Sequence, residues 1–382
     1  MVRCSRCIYD TSIGSITFDE FGVCNYCKTI DSLIEKYGTG NENGLHYFDR
    51  IVKQIKKNGR KRQYDCIVGV SGGTDSSYLL HLCVELGLRP LAVHYDNTWN
   101  SAIAAMNISK VTSSLRIPLE TYVCDNLEVC DIVKSFLLAG VAEIEGPTDL
   151  ALAEVINRTA QKYKVKYVFE GHSFLTEGIS PLNRNYFDGK YIKSIHSRYG
   201  KVPMDSYPLM TLRRFIYWIT VARIQKIRPL WYLDYSKENA KRILIETYDW
   251  QDYGGHHLEN KLTAFYHEVY APRKFGTDFR QNVLAARVRN GEIDRTLAIT
   301  EFTEKDVSTK YLEKYFRDRL SLSEADYEII MRDKPRIWSE FPTYKRFFEF
   351  FSPFFFVASK LNLVPFSFYL KYCKKVSHDN NH

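Results

Sequence analysis

The sequence has no run of about 18 uninterrupted apolar residues, which argues against a helix that crosses a bilayer. It has no apolar stretch near its start either. Four of its first 27 residues are cysteines, so no secretory signal is expected there. Nine cysteines in 382 residues are too few for a disulfide framework, and their clustering in pairs points to metal in a reducing compartment, hence the cytoplasm. Internal repeats and low-complexity tracts are missing. Neither sign of charge dominates: 53 Lys and Arg against 45 Asp and Glu leave +8. That excess suits phosphate-bearing partners, but it is small for a nucleic-acid binder, and none is expected as a partner. At 45% hydrophobic and 26% charged the chain is an ordinary globular one, with room for more than one folded unit.

The cysteines at the start have a definite spacing. Cys4 and Cys7 form one C-x2-C, and Cys24 and Cys27 form a second, sixteen residues on. Two such knuckles converge four thiolates on a tetrahedral ion. Between them Ile16, Thr17 and Phe18 alternate as a strand does, residues 19–22 read as its turn, and Val23 begins the return. The pattern predicts a small zinc ribbon with a structural Zn²⁺. An iron–sulfur cluster also takes four cysteines and stands as the alternative.

Residues 64–70, YDCIVGV, read as a buried parallel strand. SGGTDSS follows at 71–77, and then a helical recurrence of apolar residues that stops at Gly87. Strand, glycine loop and helix N-terminus together make an anion cradle: the backbone approaches closely, free N–H groups point outward and hydroxyls add donors. Val70, Ser71, Gly72, Gly73, Thr74, Asp75, Ser76 and Ser77 are therefore candidate nucleotide-binding residues, with Asp75 also placed to hold Mg²⁺. The loop has no lysine, so it is not a Walker A loop. Further strands are expected at 91–95, 119–124 and 167–170. Their carboxyl ends should line one cleft.

The SGGTDS stretch resembles the loop of the PP-loop ATP pyrophosphatases, in which ATP is split between its α- and β-phosphates. The resemblance narrows to the N-acetyl sugar amidotransferases of bacterial surface-polysaccharide and flagellin-sugar synthesis. It is carried by Cys4, Cys7 and Asp10, by FDEFGVCNYC, by GHSFLTEG at 171–178, by DYGGHHLENKLTAFYHE at 252–268 and by PRKFGTDFRQNVLAARVRNGEIDR at 272–295. It implies an α/β fold with a parallel sheet covered by helices on both faces. It also implies ATP and Mg²⁺ as cofactors and a nucleotide-sugar substrate whose acetamido group becomes acetamidino. Val93, His94 and Tyr95 are then expected near adenine, although a lone histidine such as His94 also fits a core position. Glu170, Gly171, His172 and Lys261 are expected at the nucleotide. His172, Glu177, Asp252, His257 and Lys274 are candidates for catalysis, with no single one assigned as the base.

The ammonia must come from elsewhere. No cysteine sits in a glutaminase elbow and residue 2 is Val, so the resemblance implies a partner glutaminase and an ammonia-channel subunit like the histidine-pathway pair. A zinc-containing transfer-RNA thiolase is the rival, with Cys124 and Cys130 near the place of its reactive cysteine; against it, no second distal C-x2-C exists.

Three regions are expected: the ribbon at 1–30, the ATP-binding domain at 31–204, and a mainly helical part at 205–382 with helices at 207–227, 236–248, 259–270 and 322–331. Seven phenylalanines crowd residues 347–356. A buried aromatic helix is favoured there over a membrane or partner contact, because Pro353 and Pro365 interrupt any long amphipathic helix.

Overall fold

A computed structural model describes residues 2–179, 185–254, 259–304, 309–361 and 363–374. His257 lies outside the described residues. The centre of the molecule is a five-stranded, all-parallel sheet in the order β3-β2-β1-β4-β5: β1 Cys66–Gly69, β2 Pro90–Asp96, β3 Leu119–Val123, β4 Tyr167–Phe169 and β5 Gln225–Ile227. This is the α/β architecture anticipated for a PP-loop protein. Alternation along the strands splits the core in two. Ile67, Leu91, Val93 and Val168 face the layer of helices Asn126–Ala139, Gly146–Lys162 and Gly189–Tyr199. Cys66, Val68, Ala92 and Phe169 face the layer of Glu42–Gly59, Thr74–Glu85, Ala102–Ser114 and Lys237–Tyr248. Burial on both sides explains why the central strands read as unbroken apolar runs.

The order reverses beside β1, whose neighbours are β2 on one side and β4 on the other. At such a switch point the loops leaving the strands part and open a crevice at their carboxyl ends.

Three expectations about organisation need correction. The boundary at residue 204 cuts through the sheet, because β5 and the helix Lys237–Tyr248 belong to the sheet's own layers. The expected helix at 207–227 is also shorter: Leu212–Tyr217 continues as a π-helical turn to Ala222, and the chain then enters β5. The cysteine module does not stand alone either. Its apolar residues share one cluster with Leu284, Ala285 and Ala298, from the helices Arg280–Arg289 and Arg295–Glu304. In the phenylalanine-rich stretch, Phe348 and Phe355 are buried against Ile219 and Val364, while Phe350, Phe351, Phe354 and Phe356 are exposed.

Candidate nucleotide cleft and cysteine cluster

The glycine loop leaves β1 and turns at once into the helix Thr74–Glu85. Gly72 adopts φ +82°, and a Cβ there would stand 2.3 Å from the Ala104 carbonyl oxygen, so only glycine fits. Its carbonyl is held from behind, by the Trp250 indole N–H at 3.1 Å and the Asn107 amide at 3.4 Å. That keeps the carbonyl dipole away from an anion in the cleft. Asn107 is itself locked by reciprocal 2.8 Å bonds with the Gln251 backbone. The hydroxyls of Ser71 and Ser76 lie 3.4 Å apart, and the Gly73 N–H donates to Ser71 Oγ at 3.3 Å.

In front of the loop is a cleft of about 160 Å³ lined by Ser71, Gly73, Thr74, Asp75, Ser76, Gly171, Glu177, Lys237, Tyr253 and Glu259. Gly171, just past β4, permits close contact with the helix start: a Cβ would lie 3.2 Å from Asp75 Cβ. Asp75 accepts from the Tyr235 hydroxyl and pairs with Lys237 Nζ at 3.3 Å. Burial works against the charge on Lys237, but Asp75 and Glu177 outweigh it and the ammonium is stabilised. A cation thus enters this cleft from residue 237, although the loop has no lysine of its own.

The residues named from the sequence separate into groups. Ser71, Gly73, Thr74, Asp75, Ser76, Gly171 and Glu177 meet in the cleft. His172 stands beside it, taking the Trp231 indole N–H at 3.3 Å and facing Glu177 at 3.5 Å. Glu170 is held between Lys226 at 2.6 Å and Arg228 at 3.0 Å. Burial raises its pKa, but the two cations prevail and hold it at about 2, so it is a fixed anion. His94 is buried: its Nδ1 lies 2.9 Å from the Val70 carbonyl and its Nε2 3.3 Å from the Asn100 amide. Donation from Nδ1 to the carbonyl and acceptance at Nε2 fits one neutral tautomer, which is the core-histidine reading. Val93 and Tyr95 point into the apolar cluster behind the sheet, so only their backbone can meet a ligand.

Val70, Gly72 and Ser77 are buried behind the lining, and Asp252, Lys261 and Lys274 are also not brought to it. Asp252 pairs with Lys241 at 2.9 Å nearby. The Lys261 ammonium sits 4.1 Å from the centre of the Tyr315 ring. Lys274 is buried elsewhere, donating to the carbonyls of Ile330 at 2.5 Å and Asp333 at 2.8 Å. Conversely, Lys237 was not legible in the sequence. Tyr253 and Glu259 lie within the 252–268 motif, from which the sequence singles out Asp252 and His257 instead.

The four cysteines form a second, closed site. All are fully buried, and their sulfurs lie within 4.8 Å of one another, with Cys4–Cys27 at 4.0 Å and Cys7–Cys24 at 3.9 Å. A tetrahedron with bonds of about 2.3 Å puts sulfurs about 3.8 Å apart, so the spacing suits one ion. A sulfide-bridged cluster spreads its thiolates over separate irons and needs a wider set. The N–H groups of Arg6, Cys7, Tyr9, Cys24 and Cys27 point at the sulfurs from 3.2 to 3.5 Å, as thiolates require. Arg295 donates to the carbonyls of Cys4 at 2.6 Å and Cys7 at 3.0 Å, bringing positive charge to a site that four thiolates make negative.

The module and the helix that covers it also reach the segment that carries Glu177. Asn290 donates to the Leu175 carbonyl at 3.0 Å, and the Tyr9 hydroxyl bonds to Asn282 at 2.9 Å, in the segment that packs on Gly178. Leu175 and Gly178 flank Glu177.

Residues 259–354 match the family model for "LPS biosynthesis protein WbpG-like, C-terminal domain". The family resemblance read from the sequence therefore holds over that segment, which begins at Glu259 in the cleft wall. Among solved structures, the chain is similar to NMN synthetase from Francisella tularensis at 15% identity, covering 74% of this chain and 95% of that one, with a TM-score of 0.31. It is also similar to NH3-dependent NAD synthetase from Campylobacter jejuni subsp. jejuni NCTC 11168, in complex with the nitrate ion. There the identity is 10%, the coverage 68% and 96%, and the TM-score 0.32. No curated protein matches the chain.

Proposed function

We propose that this chain is an ATP-dependent amidotransferase that converts an acetamido group of a nucleotide sugar into an acetamidino group, in bacterial surface-polysaccharide or flagellin-sugar synthesis. The observation that supports it most is the lysine-free glycine loop at the carboxyl end of the central strand, facing Lys237, Asp75, Glu177 and Glu259 across one small cleft. The match of residues 259–354 to a WbpG-like domain adds the family.

An amide carbonyl is a poor electrophile and its oxygen a poor leaving group. In the proposed reaction that oxygen attacks the α-phosphorus of ATP, the bond to the β-phosphate breaks, and pyrophosphate departs. The resulting O-adenylyl imidate is attacked by ammonia, which loses a proton, and AMP leaves with the former carbonyl oxygen. The loop N–H groups and the helix N-terminus hold the pyrophosphate, and Lys237 offsets its growing charge. Asp75, Glu177 and Glu259 supply hard oxygen donors of the kind Mg²⁺ takes, and the ion would neutralise phosphate charge. Ammonia is supplied by a partner glutaminase through a channel subunit.

The four cysteines are proposed to hold one structural Zn²⁺, with no position open for substrate. The thiolase reading loses ground at Cys124, because burial pushes this thiol up to about 11 and leaves little thiolate at neutral pH.

The test is incubation with ATP, ammonium and diacetamido nucleotide sugars, followed by mass spectrometry. The expected product is lighter by about one mass unit, since NH replaces O, and AMP forms with it. Release of ADP, or dependence on a sulfur donor, would sink the assignment.

A further inference from the structure

The helix Ser352–Lys360 has two apolar faces where a surface helix normally has one. Phe355 and Ala358 fill the core beside Phe348. On the other side Phe350 is 78% exposed, Phe354 44%, Val357 55% and Leu361 59%. Phe354, Val357 and Leu361, spaced by three and four residues, stack along one stripe, and Phe350, the last residue of the preceding helix Lys345–Phe350, is exposed just ahead of it. Phe351, Phe356 and Phe366 are exposed around it. So large an uncovered aromatic surface marks a place of contact.

The charge around the stripe says what it contacts. Residues 341–374 hold Lys345, Arg346, Lys360, Lys371 and Lys374 against a single acid, Glu349, and that acid pairs with Lys345 at 3.5 Å. Arg346, Lys360 and Lys374 are exposed. The Lys360 ammonium lies 5.3 Å from the Phe356 ring and 5.9 Å from Phe366, and Lys36 also stands 5.9 Å from Phe366. Lys36 and Lys360 therefore stand at the Phe356–Phe366 end of the apolar ridge, and Arg346 and Lys374 add exposed positive charge from the same C-terminal segment. A second copy of the chain would bring like charges together across this face. An anionic bilayer surface accepts both parts: phenylalanines enter the boundary between headgroups and acyl chains while the cations stay with the phosphates.

We propose that this ridge docks the protein reversibly on an anionic lipid surface. No described helix is long and apolar enough to cross a membrane, so the ridge lies on the surface. The inference does not depend on the nucleotide chemistry.

The test uses the full chain with sedimented vesicles of phosphatidylcholine, alone or mixed with phosphatidylglycerol. Binding is expected to the mixed vesicles only, and to weaken as salt is raised. The double substitution Phe350→Ser and Phe354→Ser takes two rings off the ridge and leaves the buried Phe348 and Phe355 in place, so the protein should stay folded while vesicle affinity falls about tenfold or more. Equal binding by the double variant, equal binding to uncharged vesicles, or no binding at all would overturn the proposal. So would a dimer that the double substitution splits while vesicle binding stays the same.

Discussion

The cysteine cluster and the glycine loop hold their intended guests in opposite ways. Around the cysteines everything is closed: all four residues are buried, backbone N–H groups meet the sulfurs of Cys4, Cys7 and Cys24, and Arg295 caps two of the ligand carbonyls. The glycine loop is braced from behind but open in front, where Ser71 and Ser76 bond loosely to each other at 3.4 Å beside a cleft. A closed donor set commits an ion to holding the fold. An open one keeps its donors for a ligand that must enter and leave. If the contrast is real, damage at one site should be separable from damage at the other.

The sharpest break is Cys24→Ser. Losing one of four ligands should release the metal and cost several kcal/mol of stability, with metal analysis and thermal melting as the readout. Full retention of metal would end the closed-site view.

The matching change in the cleft is Asp75→Asn. AMP formation should fall about a hundredfold, equivalent to about 2.7 kcal/mol in the transition state, while metal content and melting temperature stay near wild type. Unchanged turnover would remove Asp75 from the mechanism.

Gly72→Ala lies between these extremes. The new methyl meets the Ala104 carbonyl at a backbone position with φ +82°, so a loss of about 1–3 kcal/mol is expected, together with weaker nucleotide binding by calorimetry. Wild-type binding would mean that the loop moves away from Ala104 when loaded.

The smallest effect concerns acid. Glu170 is held at about 2, below its ordinary 4.5, by Lys226 and Arg228 against the opposing effect of burial. The unfolded chain therefore takes up this proton first. The contribution of Glu170 is complete above about pH 4.5 and is lost as the pH falls toward 2. Melting temperatures measured over that window should fall less steeply in Glu170→Gln, and an unchanged slope would contradict the pairing.

Local patterns revealed what local forces decide. The strands around Val68 and Ala92, the turn at Gly72 and the paired knuckles follow from burial, positive φ and ligand spacing over a few residues. β5 was hidden because its three residues, Gln225 to Ile227, are shorter than one alternation can show and follow directly on a helical stretch. Lys237 could not be foreseen, because it reaches Asp75 across a sequence separation of 162 residues. The roles of His94 and Lys274 were also beyond the sequence. Whether a polar side chain finds its partners in the protein or offers them to a ligand depends on packing alone.

The first residues of the chain fold against two helices from its last third, Arg280–Arg289 and Arg295–Glu304. Gln281 bonds to the Ile8 carbonyl and Arg295 to those of Cys4 and Cys7, across separations of 273 to 291 residues. During synthesis the cysteine knuckles leave the ribosome early, yet the surface that covers them is made only after the sheet is complete. Their ordering is thus a late, high-contact-order event. A chain ending before residue 280 would keep all four ligands and still expose the greasy side of the module, so a lesion between residues 280 and 304 would be felt at the cysteines.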